Sequence, residues 1–244
     1  REEILINLNN RINENQQKNF LFYIRKRRNK KPISYILGFK YFWRYKFYVN
    51  NSTLIPRPET EHLVEQSLKH VPIGKSMKIL DIGTGSGCLI ISLLKERCNC
   101  NGSAIDISKE ALKVAKINAK LHHLENKIKF FNIDIDKFNS NKYDLIISNP
   151  PYINKVDLNR LDEDVRLYEP RVALYGGVEG FDKIKKIIKK SSKLLKYNGK
   201  LIIEIGDKQT NYTKKILIEN GFYINKICKD FSDKDRCLVS TKIN

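Results

Sequence analysis

Ile79-Leu80-Asp81-Ile82-Gly83-Thr84-Gly85-Ser86-Gly87 is the stretch that decides the fold. It runs from a short apolar strand through a glycine-rich turn into the amphipathic segment 89–97, which has helical spacing. Outward from it the same unit recurs. Strands are predicted near 78–81, 102–106, 128–134, 143–148 and 199–205, with helices over 89–97, 109–121, 181–195 and 209–220. Strand, turn and helix in repetition describe a parallel sheet covered by helices. Two closing strands, 222–229 and 236–241, come directly after the last helix and are joined by a charged turn, as in an antiparallel edge hairpin. The expected class is α/β, a Rossmann-like sheet of seven strands, mostly parallel.

That core accounts for 75–244. Before it, 1–31 reads as a small helical cap, with apolar residues at Ile4, Leu5, Leu8 and Ile12 and again at Phe20, Leu21 and Ile24. The segment 32–74 reads as a linker whose aromatic, partly alternating stretch 33–54 predicts a β-hairpin with Gly38 as its turn. Arg1 in place of Met suggests that the cap is truncated.

The 244 residues suffice for one α/β domain and a small accessory segment. With 41% hydrophobic and 30% charged residues, neither disorder nor a fibrous repeat is indicated. No apolar run reaches the roughly 18 residues a membrane span needs, and the first thirty lack an apolar signal core, so a soluble cytoplasmic protein with no membrane contact is expected. Cys88, Cys98, Cys100, Cys228 and Cys237 lack paired metal-site spacing, and the four histidines lack ligand spacing; reduced structural thiols and no metal are expected. A net charge of +19 favours a polyanion such as RNA or the ribosome, densest over 25–31, although the Lys, Ile and Asn bias of an AT-rich genome explains it equally well.

The glycine turn alone fits several nucleotide ligands. Asp81 narrows the choice, because a carboxylate there opposes a pyrophosphate but can engage, directly or through water, the cationic amino-acid end of S-adenosylmethionine. Gly83, Thr84, Gly85, Ser86 and Gly87 would bring backbone N–H groups to that cofactor. Asp106, ending the second strand, would accept from ribose hydroxyls, with Ser108 the better helix cap. Asp134 would meet the adenine amino group, and Ile135 would lie against the adenine face.

The fourth core strand delivers Asn149-Pro150-Pro151-Tyr152 to the same sheet edge. Two prolines stiffen this loop and free its carbonyls to accept. An amide or amino NH2 has two protons. The Asn149 oxygen can take one and the Pro150 carbonyl the other, which aims the nitrogen at a sulfonium methyl group, with Tyr152 offering an apolar face to a planar acceptor. No strong base is needed. Asn149 therefore borders both ligands.

With these residues in hand, the chain resembles the release-factor glutamine methyltransferase family from about Pro32 onward. The likeness rests on 32–38 leading into Phe42 and Trp43, on Leu54-Ile55-Pro56-Arg57-Pro58-Glu59-Thr60-Glu61, on 81–87, on 149–152, and on Asp164-Val165-Arg166 with Glu169, Pro170, Ala173 and Leu174. The resemblance implies a methyl acceptor that is the glutamine amide of the Gly-Gly-Gln loop in peptide-chain release factors. By position it places Gly83 to Gly87 and Asp106 around the cofactor, Ile135 at the adenine-stacking position, and 149–152 around the glutamine. Two departures stand out: Ile135 is aliphatic where some members are aromatic, and the cap is short. Arg57 is open to the cofactor carboxylate, the acceptor loop, or a pairing with Glu59 or Glu61. Two other readings are carried: an amino-methyltransferase acting on adenine or guanine of a flipped base in nucleic acid, which has the same loop, and a ribosome- or RNA-associated binding protein without turnover.

Overall fold

The computed structural model describes Asn7, residues 10–140 and residues 142–243. Ile4, Leu5 and Leu8 of the expected cap lie outside the described residues. The described part of the cap holds one helix, α1 (Glu14–Arg28), opened by a capping box in which Asn13 and Gln16 exchange side-chain and backbone hydrogen bonds. Phe20, Leu21 and Ile24 stand exposed on it. Its C-terminal end meets the core by polar contacts: Arg27 with Asp164, Lys30 with Glu163, and the Tyr168 hydroxyl donating to the Asn29 carbonyl at 2.6 Å.

The linker differs from the expected hairpin. Residues 33–37 form a short helix, α2 (Ile33–Leu37), because Pro32 sits at its start and Gly38 closes it at φ +78°. The hairpin is confined to β1 (Phe39–Phe42) and β2 (Tyr45–Tyr48), and it turns at Trp43 and Arg44 rather than at Gly38. Trp43 has φ +56°, a conformation rare for a bulky residue. Glu61 accepts from its backbone N–H at 2.7 Å and Glu96 from its indole N–H at 3.0 Å, which offsets the strain.

The core continues as α3 (Glu61–His70), β3 (Lys78–Ile82), α4 (Cys88–Glu96), β4 (Asn101–Asp106), α5 (Lys109–Leu121), β5 (Ile128–Asn132), β6 (Tyr143–Ser148), α6 (Lys155–Leu158), α7 (Glu163–Tyr168), α8 (Asp182–Leu194), β7 (Leu195–Glu204), α9 (Thr210–Glu219), β8 (Phe222–Lys229) and β9 (Asp235–Lys242). The seven strands lie in the order β5-β4-β3-β6-β7-β9-β8, parallel except for β9, which runs against both neighbours. Strand β5 stops two residues short of the expected end. Asp134 there turns the chain instead, its carbonyl and side chain accepting from backbone N–H groups at 136–138.

Alternation along β3 sends Ile79 to one face of the sheet and Leu80 and Ile82 to the other. The first face packs against Leu63 and Val64 of α3 and Leu89 to Leu94 of α4, the second against Ile184, Ile187 and Ile188 of α8 and Leu217 of α9. Strands covered on both sides explain their unbroken apolar runs. Strand order reverses at β3, which has β4 on one side and β6 on the other. A crevice opens beyond the carboxyl ends of strands at such a point. Among the described residues no helix is long and apolar enough to cross a membrane.

Candidate active site

Beyond the ends of β3, β4 and β6 lies a cavity of ≈ 150 Å³. One wall is the glycine turn. The N–H groups of Gly83 and Thr84 both donate to the Ile105 carbonyl, at 2.9 and 3.1 Å, folding the turn over the end of β4. Gly85 N–H then donates to Asp106 Oδ2 at 3.0 Å, while Ser108 N–H donates to Oδ1 at 2.8 Å. Asp106 is thereby fixed at the cleft with one lone pair of each oxygen engaged. Burial raises its carboxyl above the usual range, and those N–H groups oppose the rise. Ser108 caps α5, accepting from Ala111 N–H.

The glycines divide by role. A Cβ on Gly83, at φ +73°, would meet nothing within 4 Å, so the backbone there is open to a ligand. A Cβ on Gly87 would meet Ile91 at 3.0 Å and Ala115 at 3.3 Å, so this glycine lets α4 pack against α5 and does not line the cavity. Thr84, Gly85 and Ser86 line it. Asp81 does not. It is fully buried, with Oδ2 accepting from the Thr84 hydroxyl at 2.7 Å and Oδ1 without a hydrogen-bond partner among the described residues. Burial pushes its carboxyl up to about 7; the Thr84 bond works against this and the nearby Asp106 charge adds to it. The far end of the cavity is walled by Ile107, Ile133, Asp134 and Ile135, the place expected for an adenine.

The acceptor loop is held from behind. Asn149 lines the cavity and donates from Nδ2 to Thr60 Oγ1 at 3.0 Å; Thr60 in turn donates to Glu204 Oε2 at 2.7 Å. The other oxygen, Oε1, accepts from the Tyr152 hydroxyl at 3.2 Å. Glu204 is fully buried and pushed up to about 7 by that burial, against the hydrogen bonds from Thr60 and Tyr152. The same burial raises the Tyr152 phenol, which rules it out as a base near neutrality. Its ring packs on the cluster of α8 and β7 and not along the cavity, because the hydroxyl is drawn inward to Glu204; Pro151 lines the cavity in its place. Pro150 is buried behind it. Gln209 Nε2 donates to the Tyr152 carbonyl at 3.1 Å, and Gly176 and Gly180 press so closely on Pro151 and Tyr152 that a Cβ on either would collide with loop backbone.

Arg57 also lines the cavity and pairs with Glu169, not with Glu59 or Glu61. Glu169 is buried and also accepts from Ile55 N–H at 3.0 Å, tying the 54–61 segment to α7. Thr60, Glu169, Glu204 and Gln209 are absent from the expected site, as are Lys183 and Lys186, which line the cleft beside Asp134. One signal was available for Glu204. It ends its strand as Asp81 nearly ends β3 and Asp106 ends β4, an acid closing an apolar run.

Residues 73–242 match a family described as a methyltransferase domain. A release factor glutamine methyltransferase of Clostridium acetobutylicum is 36% identical over 242 residues, 98% of this chain and 85% of the relative. One of Buchnera aphidicola is 38% identical over 219 residues, 90% of this chain and 78% of the relative. A bifunctional methyltransferase of Rickettsia prowazekii is 36% identical, and the chain spans about half of its length, 51%. Among solved structures, a methyltransferase from Pyrococcus furiosus superposes with a TM-score of 0.61 at 18% identity, covering 95% of this chain and all of that one, a likeness of fold. Glycine turn, acceptor loop and extended likeness agree: the chain belongs to the release factor glutamine methyltransferase family.

Proposed function

We propose that this chain methylates the side-chain amide nitrogen, N5, of the glutamine in the Gly-Gly-Gln motif of peptide-chain release factors, using S-adenosylmethionine. The observation that carries this reading is the Asn149 side chain, braced by Thr60 at the rim of a cleft whose other wall is the glycine turn. The cleft suits that cofactor. Gly83 leaves open space, Asp106 keeps acceptor capacity for ribose hydroxyls, and Ile133 and Ile135 give a flat apolar wall. Asp81 does not line the cleft; held by the Thr84 hydroxyl at the base of the turn, its carboxyl acts on a cationic ligand through the turn and not by contact. When bound, the cofactor supplies an electrophilic methyl group.

The chain's residues orient the acceptor. Asn149 Oδ1, at the cavity wall, takes one amide proton, and the other is assigned to the carbonyl of Pro150, a buried residue adjoining the cavity lining, so that the nitrogen is held with its face toward the donor. As positive charge develops on nitrogen, both oxygens stabilise it, and the surplus proton leaves to water. The test is incubation with labelled S-adenosylmethionine and a purified release factor, native or with its motif glutamine replaced. Label on the native factor alone supports the proposal; label that survives the replacement, or that appears on ribosomal RNA instead, sinks it.

The +19 charge and the basic run from Arg25 to Arg28 at the end of α1, in which Arg25 and Arg28 are exposed, support transient contact with RNA or the ribosome. Cytoplasmic residence is part of the same proposal.

A further inference from the structure

An asparagine amide can face a ligand with either its oxygen or its NH2, and only the oxygen suits an acceptor that is itself an NH2 group. The choice at Asn149 is made two residues away. The Thr60 hydroxyl has one proton, and Glu204 Oε2 takes it at 2.7 Å; the hydroxyl oxygen is left to accept, so the Asn149 atom that meets it at 3.0 Å must be the NH2. We propose that Thr60 and Glu204 are positioning residues, which through this directional chain turn the Asn149 oxygen toward the methyl acceptor. The proposal rests on the reading of Asn149 as acceptor ligand.

Glu204 also takes the Tyr152 hydroxyl on its other oxygen, so one carboxylate anchors both the turn before α3 and the acceptor loop. A carboxylate fits this role because it only accepts. Once protonated it can donate to Thr60, the hydroxyl can then donate to Asn149, and the amide reverses. Tyr152 from the acceptor loop, Arg236 from β9 and Glu59 from the 58–60 turn bear on Glu204, and Cys237 lies opposite it in register. Burial outweighs the hydrogen bonds and the Arg236 charge and sets its titration at about 7. The ionised, directing form therefore prevails above that pH and is lost below it.

The test uses the full chain, a purified release factor as acceptor, and S-adenosylhomocysteine as binding probe. Thr60→Val keeps the shape and removes the hydroxyl. It is expected to lower kcat about 10- to 100-fold, a loss of about 1.4–2.7 kcal/mol, with probe affinity held within about threefold. Thr60→Ser is expected to recover most of kcat. In an Asn149→Ala background, Thr60→Val should add less than about twofold, since it acts through the missing side chain. Glu204→Gln, a second and independent variant, should abolish the acid limb of the kcat profile near pH 7; a limb arising at Asp81 would appear in KM for the methyl donor instead. The proposal is overturned by an unchanged kcat in Thr60→Val, by Thr60→Ser no better than Thr60→Val, by losses that multiply in the double variant, or by an acid limb that persists in Glu204→Gln. Wild-type kcat in Asn149→Ala alone would remove the acceptor reading itself, and this inference with it.

Discussion

On the cofactor side of the cleft, Gly85 reaches Asp106 across 21 positions of sequence, and Thr84 reaches Asp81 across 3. On the acceptor side, Asn149 reaches Thr60 across 89 positions and Thr60 reaches Glu204 across 144. The first half is made chiefly of backbone whose shape is set by glycines at alternate positions, Gly83, Gly85 and Gly87. The second is made of side chains that acquire orientation from distant partners. A site of the first kind tolerates changes elsewhere in the chain, whereas one of the second kind is only as well aimed as its most remote support.

That contrast can be broken, or sharpened, at four places. Asn149→Ala should produce the largest effect, a fall in turnover of about 10²–10³-fold, similar to the loss of one preorganised charge-stabilising group, while calorimetry with S-adenosylhomocysteine stays within about threefold. A parallel collapse of binding would show that the halves are not separable. Gly176→Ala comes next. The new Cβ would stand 2.7 Å from both the Pro151 carbonyl oxygen and Tyr152 Cα, backbone atoms that cannot swing aside. Turnover should drop about 10-fold or more and stability by about 1–3 kcal/mol, read from steady-state kinetics and denaturant midpoints.

Gly83→Ala probes the opposite half. The space is open but φ is +73°, so strain of about 1–2 kcal/mol should weaken probe binding by roughly tenfold and leave saturated turnover nearly intact. A kcat loss as deep as that of Gly176→Ala would contradict the division. The smallest effect is expected from Ile135→Phe. A ring at this position of the cavity wall gains stacking of about 0.5–1 kcal/mol, a few-fold in probe affinity, with kcat unchanged.

The same division governs what could be read from the sequence. Strand β6 and helix α5 occupy the expected 143–148 and 109–121, because apolar runs and helical spacing are local signals. The glycine turn and Asp106 are local too. Thr60 and Glu204 were hidden because an ordinary threonine and a strand-end acid acquire meaning only when they meet. Arg57 stayed open between the cofactor, the acceptor loop and a local pairing, since its partner Glu169 lies 112 positions away. The helix Ile33–Leu37 is illegible for a different reason: Tyr35 and its neighbours fit a strand pattern as well, and five residues bracketed by Pro32 and Gly38 are too few for helical spacing to show.

The long reach from Thr60 to Glu204 also has a consequence for how the enzyme matures. Loops of that length close late and slowly compared with the compact strand-turn-helix unit that carries the glycine turn. Asn149 is therefore oriented through Thr60 and Glu204 only once β7 has taken its place beside β6. The aim of the acceptor loop is thus a property of the closed sheet as a whole, set by a contact that no single strand-turn-helix unit contains.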